Sequence, residues 1–278
     1  MKLLRHGPAG HERPGMLDAG GGVRDLSAHV GDIDGAALAN LDALRRIDPE
    51  SLPLVPAGTR LGPCVGKVGK VIGVGLNYAD HAAETGAQVP AEPILFMKAT
   101  TALSGPTDDV QLPPGSEKLD WEVELGVCIG RTARRVAEAE ALAHVAGYFT
   151  ANDVSERQWQ NERGGMWDKG KSHDTFAPVG PWLVTRDEVP DPQNLKLWLE
   201  VDGVMRQNGS TRTMVFGVAT LVSYISHFMT LEPGDLILTG TPPGVGLGMK
   251  PPTFLKDGQT IRLGVEGMGE QRTRVRAV

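Results

Sequence analysis

The chain has 278 residues, of which 40% are hydrophobic and 22% charged, which is typical of a globular protein with a large buried core. Its net charge of −6 disfavours a nucleic-acid-binding protein, because phosphate contacts require clustered Lys and Arg. Apolar runs of membrane-spanning length are absent, and the only cysteines are Cys64 and Cys128. These features predict a cytoplasmic protein that acts on a small molecule.

The first 65 residues are predicted to form a small N-terminal accessory domain, followed by a second domain over residues 66–278. Within the first segment, Leu38, Leu41 and Leu44 recur at helical spacing and predict a helix over residues 36–47. Three prolines at positions 53, 56 and 63 then mark a linker. The 36 glycines and 20 prolines of the whole chain predict many tight turns and hence a strand-rich fold.

The second segment opens with two predicted strands, residues 71–76 and 94–98. Between them, residues 77–86 predict a short helix that carries His81 and Glu84 on one face. A surface pair is the plain alternative for these two side chains. Glycines 73 and 75 do not predict a dinucleotide site, because the third glycine of that motif is absent and no long helix follows.

Residues 120–130 alternate between polar and apolar side chains, which predicts a strand. Side chains two positions apart on a strand point the same way, so Glu122 and Glu124 lie side by side. Two carboxylates this close repel unless a cation or protons intervene. A solvated outer face of the sheet is the alternative, and the alternation alone leaves both open.

The remaining elements are predicted as helices over residues 136–144 and 213–230 and as strands over residues 145–150, 195–201, 236–239, 261–265 and 272–278. Asp153 follows the first of these strands, at a strand end where functional residues often lie. Residues 165–172 fit the phosphate-loop pattern formally, but they lack the preceding strand and the following helix. We therefore interpret Lys171 as a single cation in a loop.

Several separate segments, in order, resemble the fumarylacetoacetate hydrolase family over roughly residues 70–278. They are residues 73–84, 121–125, 153–160, 171–181 and 234–246. Residues 18–26 resemble the small accessory domain of the family's bacterial branch. The resemblance implies an α+β, β-rich fold with a mixed β-roll core, which is usually found as a homodimer.

The resemblance also implies a divalent-metal site formed by Glu122, Glu124 and Asp153. Three carboxylates without His or Cys favour Mg²⁺, with Mn²⁺ or Ca²⁺ as alternatives. By the same resemblance, the catalytic residues are His81, Glu84 and Lys171. Predicted substrate-binding residues are Tyr78, Lys98, Arg157, Gln160, Gly240 and Thr241.

From this resemblance we predict hydrolysis of the C–C bond of a 2,4-diketo acid to pyruvate and a carboxylic acid. His81, assisted by Glu84, would activate water, and Lys171 would face the developing negative charge. Residues 161–165 resemble the branch of the family that acts on 2,4-diketo-3-deoxy-rhamnonate or -fuconate. His173 departs from the family pattern, so the identity of the substrate is not fixed by the resemblance. Alternatives are an oxaloacetate decarboxylase, a 2-oxo acid isomerase, a ureidoglycolate lyase and an inactive metal-binding homologue.

Overall fold

A computed structural model of the chain describes residues 1–80, 84, 86 and 88–278, and most of its regular structure is β. The strands are β1 (Lys2–His6), β2 (Arg13–Leu17), β3 (Val23–Asp25), β4 (Val71–Gly75), β5 (Ile94–Lys98), β6 (Leu103–Ser104), β7 (Val110–Leu112), β8 (Leu119–Asp120), β9 (Val123–Ile129), β10 (Val145–Asn152), β11 (Ser155–Glu156), β12 (Ala177–Pro178), β13 (Leu183–Thr185), β14 (Lys196–Val201), β15 (Val204–Ser210), β16 (Leu236–Leu238), β17 (Thr260–Val265) and β18 (Glu270–Ala277). Helices with described bounds are α1 (Gly35–Leu38), α2 (Leu41–Leu44), α3 (Glu138–Ala141), α4 (Arg157–Asn161), α5 (Asp168–Lys171) and α6 (Val218–Phe228). None of the described helices has the length and apolar character needed to cross a membrane.

Two mixed sheets organise the fold. The larger has nine strands in the order β3-β2-β1-β13-β10-β9-β16-β4-β5, and its neighbours run antiparallel except β16 and β4. The smaller has the order β15-β14-β17-β18-β7, with β18 and β7 parallel. Two further strand pairs, β11 with β8 and β12 with β6, complete the β structure of the described residues. The predicted α+β, β-rich fold is confirmed.

Strand β9 lies in the interior of the larger sheet, between β10 and β16, and is buried on both faces. Its residues Val123, Leu125 and Val127 pack into one apolar cluster with β14 and β17 of the smaller sheet. Cys128, on the opposite face, packs into a second cluster. The alternation predicted a strand correctly, but the face that carries Glu124 is buried within the protein rather than solvated.

The N-terminal strands extend the larger sheet. Lys2 and Leu3 of β1 pair with Val184 and Leu183 of β13. Leu3 also belongs to the second apolar cluster, which it shares with Cys128 of β9. The N-terminal segment therefore packs on one face of the larger sheet. That it forms a separate domain ending at residue 65 stays a prediction.

Three predicted helices differ from those observed. The helix predicted over residues 36–47 is wrong, because Asn40 has a non-helical backbone (φ −128°, ψ 44°) that separates α1 from α2. The helix predicted over residues 136–144 begins later than expected, because Ala137 has an extended backbone (φ −68°, ψ 148°); α3 begins at Glu138, and a 3₁₀ helix over Leu142–His144 follows it. For residues 213–230, α6 begins at Val218 after Gly217, which is the N-cap residue.

The predicted strand over residues 120–130 is interrupted at Trp121 and Glu122. Their backbone N–H groups donate to the side chains of Asp120 and Asn152, at 2.9 Å and 3.1 Å, rather than to a neighbouring strand. The ladder therefore breaks between β8 and β9. This break lies where Glu122 joins the candidate site.

Candidate metal centre and active site

Antiparallel pairing of β9 with β10 brings three carboxylates together. Val123 pairs with Asn152, so the next residue of β10's chain, Asp153, comes opposite Glu122. The backbone N–H of Asp153 donates to the Glu122 carbonyl at 2.9 Å. Carboxylate oxygens of Glu122, Glu124 and Asp153 lie within 4.8 Å of one another, and all three residues are buried.

The electrostatics of this cluster suit a cation. Burial raises the pKa of Glu124 well above its ordinary value, and the charges of Asp153 and Glu122 raise it further. A hard divalent cation favours oxygen donors and would remove the penalty of gathering these charges away from water. The three residues therefore fit a site for a hard divalent cation, and the choice among Mg²⁺, Mn²⁺ and Ca²⁺ stays a prediction.

Two buried lysines contact the same carboxylates. Nζ of Lys171 lies 2.9 Å from Oε2 of Glu122 and 2.7 Å from Oδ2 of Asp153. Burial would lower the pKa of Lys171, but Asp153 and Glu122 outweigh that effect and raise it. Lys98 donates to Oδ1 of Asp153 and to the Val154 carbonyl, and burial lowers its pKa.

Arg157, at the start of α4, joins the cluster to a fourth carboxylate. Its Nη2 lies 2.6 Å from Oε1 of Glu122, and its Nε lies 2.9 Å from Oδ2 of Asp120. Its Nη1 donates to Oε1 of Gln160 at 3.0 Å. Burial would lower the pKa of Arg157, but Glu122 and Asp120 raise it above its usual value. The guanidinium thus holds Glu122 in place, and the predicted pair Arg157 and Gln160 lies in one network.

Asp120 is a site residue that was not predicted. It is fully buried, and its oxygens also accept the backbone N–H groups of Gly246 and Leu247 at 2.7 Å and 3.0 Å. It therefore connects Arg157 to the loop that follows β16. Asp120, Glu122 and Glu124 are spaced two positions apart, as are residues on one face of a strand. This alternation was the signal that could have identified Asp120.

The loop after β16 supplies backbone and side-chain contacts to the cluster. The N–H of Gly240 donates to Oε2 of Glu124 at 2.7 Å. Oγ1 of Thr241 donates to the Val123 carbonyl at 2.8 Å and accepts from Nε2 of Gln207 at 2.7 Å. The structure thus brings Gly240 and Thr241 to the candidate site, and their predicted contact with substrate stays a prediction.

The remaining predicted residues have varied positions. Tyr78 is fully buried, and its hydroxyl has no hydrogen-bond partner within the described parts of the chain. Burial raises its pKa, and the nearby charge of Glu124 raises it further. Glu84 accepts the backbone N–H of Gly244, whereas His81 lies outside the described residues. The predicted pairing of His81 with Glu84 therefore stays a prediction.

His173 lies between two aromatic rings. Its ring centroid is 6.1 Å from that of Trp159 and 5.2 Å from that of Phe176. Of the described residues, those lining the cavity beside the carboxylates include Glu122, Glu124, Arg157, Gln160, Lys171 and Thr241, but neither His173 nor Lys98. Phe96 and Trp167 line it as well and were not predicted.

The chain is similar to several known proteins. A family model described as "Fumarylacetoacetate (FAA) hydrolase C-terminal" matches residues 70–276. A Burkholderia ambifaria protein provisionally named a hydrolase is 66% identical over 274 residues, which cover 98% of this chain and 97% of that protein.

Solved structures of similar length also match. A fumarylacetoacetate hydrolase from Exiguobacterium antarcticum has a TM-score of 0.89 at 37% identity, with 100% of both chains covered. A 5-carboxymethyl-2-hydroxymuconate delta-isomerase from Mycobacterium smegmatis has a TM-score of 0.80 at 34% identity, covering 100% of this chain and 99% of the other. Maleylpyruvate hydrolase from Sphingobium sp. SYK-6, solved with manganese(II) and pyruvate, has a TM-score of 0.83 at 31% identity, again covering 100% and 99%.

Proposed function

The chain belongs to the fumarylacetoacetate hydrolase family, and on this basis we propose that it is a divalent-metal-dependent hydrolase of acylpyruvates. In the proposed reaction, water adds to the 4-oxo carbon of a 2,4-diketo acid and the C3–C4 bond breaks. The products are pyruvate and a carboxylic acid. The structural neighbour solved with manganese(II) and pyruvate supports both the metal and the product class.

The observation that carries this proposal is the contact of Lys171 with two of the three clustered carboxylates. With Glu124 ionised, as it would be when it binds a metal, Asp120, Glu122, Glu124 and Asp153 bring four negative charges, whereas Lys98, Lys171 and Arg157 bring three positive charges. A divalent ion would change this excess of one negative charge into an excess of one positive charge. Such a site favours an anionic 2-oxo acid and the enolate that forms when the C–C bond breaks.

Each group has a distinct part in the proposed mechanism. Glu122, Glu124 and Asp153 would hold Mg²⁺ or Mn²⁺, which when bound supplies Lewis-acid stabilisation of negative charge on oxygen. Lys171 carries a fixed positive charge at the same place, and Arg157 fixes the position of Glu122. Glu84 with His81 would take the proton from the attacking water. Tyr78, Lys98, Gln160, Gly240 and Thr241 stay proposed contacts of the substrate or of the groups that hold it.

The test is incubation of the purified protein with Mg²⁺ or Mn²⁺ and acetylpyruvate, followed by quantification of both products. We expect equimolar pyruvate and acetate, and no turnover after chelation of the metal. A panel with oxaloacetate and ureidoglycolate, assayed for carbon dioxide, glyoxylate and urea, covers the other predicted activities. Pyruvate formed without a second carboxylic acid would refute the hydrolase.

Isomerisation of a 2-oxo acid is the second candidate, because one structural neighbour is a delta-isomerase. The same cationic site would stabilise the dienolate that such a reaction requires, without any addition of water. The two reactions differ in isotope uptake. In H₂¹⁸O the hydrolase places ¹⁸O in the released carboxylic acid, whereas the isomerase returns a substrate-sized product without a broken C–C bond.

We also propose that the protein is a homodimer, on the basis of the family resemblance. Light scattering coupled to size-exclusion chromatography measures the mass directly. A mass of about twice 29.6 kDa would support the proposal.

A further inference from the structure

The cavity beside the carboxylate cluster is lined by apolar as well as charged side chains. Glu122, Glu124 and Lys171 form what is called here its charged side. Six further lining residues have largely hydrocarbon side chains and are called here the apolar wall: Val74, Leu76, Phe96, Trp167, Val245 and Leu247. The mechanism proposed above makes no use of this wall.

Two aromatic rings of the apolar wall are packed onto glycines of β4. A Cβ atom at Gly73 would lie 2.1 Å from Cζ of Phe96, and one at Gly75 would lie 2.4 Å from Cζ3 of Trp167. The two ring centroids are 5.7 Å apart, with an interplanar angle of 55°. Both rings thus occupy space that any other residue at positions 73 and 75 would fill, and they form one continuous apolar surface.

The loop side of the apolar wall is held by hydrogen bonds. Asp120 accepts the N–H groups of Gly246 and Leu247, the residues that directly follow Val245. Asp120 is itself fixed by Arg157. Val245 and Leu247 are therefore placed against the cavity by a buried network, so this part of the wall is preorganised for a ligand.

Lys171, Arg157 and Thr241 of the cavity lining already have partners among the described residues. Lys171 and Arg157 both bind carboxylates of the cluster, and Thr241 bonds the Val123 carbonyl and Gln207. The side-chain amides of Gln160 and Asn161 and the indole N–H of Trp167 are polar lining groups whose donors are not engaged by the described residues. A second substrate carboxylate would thus lack an available cation, and a row of hydroxyl groups would lack partners.

We propose that the acyl group of the substrate is uncharged and apolar, an alkyl, alkenyl or aryl group, and that Trp167 and Leu247 determine this specificity. The inference rests on the proposed acylpyruvate hydrolysis, in which the charged side of the cavity takes the 2-oxo acid. The acyl group then lies against the apolar wall. Sugar-derived 2,4-diketo acids and acylpyruvates with a second carboxylate are disfavoured.

The test compares kcat/KM for matched substrates. In 4-methylpentanoylpyruvate an isopropyl group replaces the terminal carboxylate of succinylpyruvate at nearly the same shape. We expect kcat/KM at least about tenfold higher for the apolar compound, and a similar advantage over acetylpyruvate and 2,4-diketo-3-deoxyrhamnonate. Equal or higher kcat/KM for the carboxylated or the polyhydroxylated compound would overturn the inference.

Substitutions in the apolar wall test whether it determines the preference for an apolar acyl group. Trp167→Ala should lower the ratio of kcat/KM between 4-methylpentanoylpyruvate and acetylpyruvate by about tenfold, and Trp167→Phe should restore much of it. Leu247→Ala provides the same comparison at a partly exposed position where folding is less at risk. Met166→Ala, a neighbouring exposed position outside the described cavity lining, is the matched control and should leave the ratio unchanged. An unchanged ratio in both wall variants would contradict the assignment.

Failure of the proposed hydrolase activity can be told apart from failure of the proposed acyl-group preference. It would appear as an absence of pyruvate from every acylpyruvate, including acetylpyruvate. The preference is then measured by calorimetric titration of the two matched compounds into the Mn²⁺-loaded protein. Tighter binding of 4-methylpentanoylpyruvate would support the apolar wall as the acyl site, and equal or weaker binding would overturn it.

Discussion

Glu84 and Gly244 are joined by hydrogen bonds, with the Gly244 nitrogen 3.0 Å from Oε1 and 3.1 Å from Oε2 of Glu84. This contact connects Glu84, on the helix predicted over residues 77–86, to the loop that carries Gly240 and Thr241. The carboxylate can therefore serve two purposes, as the predicted partner of His81 and as an anchor for this loop. The two purposes predict different effects of substitution.

Glu84→Ala removes both the charge and the hydrogen-bond acceptor, and we expect kcat to fall about 100-fold or more. Glu84→Gln retains an acceptor for Gly244 and should bind substrate more nearly as the wild type does, while remaining slow. Mn²⁺ affinity, measured by electron paramagnetic resonance, should stay close to wild type in both. Unaltered kcat in the alanine variant would exclude a catalytic part for Glu84.

Removal of the negative charge of Glu124 should abolish the stabilisation of the folded protein by Mn²⁺. Mn²⁺ at about 100 times its Kd should stabilise the wild type by about 2.7 kcal/mol, if it binds only the folded state. In Glu124→Gln this gain should disappear in differential scanning calorimetry. The amide oxygen can still accept from Gly240, so the metal-free variant should be at least as stable as the metal-free wild type. Persistence of the full Mn²⁺ shift would argue against Glu124 as a ligand.

Lys171→Met tests the cation between Glu122 and Asp153. Since both carboxylates are buried, loss of their partner should destabilise the metal-free protein by about 3–5 kcal/mol, and Mn²⁺ should recover part of this loss. Turnover of the metal-loaded variant should fall about 10²–10³-fold. Lys169→Met, on the same short helix but exposed, is the matched control and should change stability by less than about 0.5 kcal/mol. Equal effects of the two substitutions would contradict the assignment.

Glu12, which pairs with Arg60, should make the stability of the folded protein pH-dependent. Arg60 lies 2.9 Å from Oε1 of Glu12 and 2.6 Å from Oδ2 of Asp108, which joins the two parts of the chain. Burial alone would raise the pKa of Glu12, but the hydrogen bond from Arg60 and the charge of Arg5 lower it below its ordinary value of 4.5.

A depressed folded-state pKa means that the ionised form stabilises the protein above pH 4.5 and that this stabilisation is lost as the pH falls through the folded-state pKa. Glu12→Gln should therefore cost about 1–2 kcal/mol at pH 7, and the difference from wild type should shrink steadily below pH 4.5. Urea unfolding at a series of pH values measures both. A difference that stays constant down to pH 3 would exclude titration of Glu12 as the cause.

Much of the site could be predicted because its signals are local. The period of two in residues 120–130 identifies a strand and places Glu122 beside Glu124, and Asp153 follows the end of another strand. Helix bounds were less predictable. Asn40 interrupts the helix predicted over residues 36–47 through its backbone conformation, and leucine spacing carries no information on that.

The contacts between charged groups could not be predicted, because they join residues far apart in the chain. Lys98 was expected to contact the substrate, yet it is buried against Asp153, 55 positions away. Asp120 carries no sign in the sequence that it holds both Arg157 and the backbone of residues 246 and 247. Trp167, in a polar glycine-rich segment, contacts the cavity only because Gly75 leaves room for its ring.

The sequence by itself predicted the strands β4, β5, β9, β10, β14, β16, β17 and β18, the family and the three clustered carboxylates, because alternation and motif order are properties of short stretches of chain. Only the tertiary structure decided how the charges are paired and which hydrocarbon groups face the cavity. Both depend on the register of strands that lie far apart in sequence and on side chains packed where glycines leave space. Burial strengthens the electrostatic interaction between paired charges, and these side chains become buried only once the chain has folded.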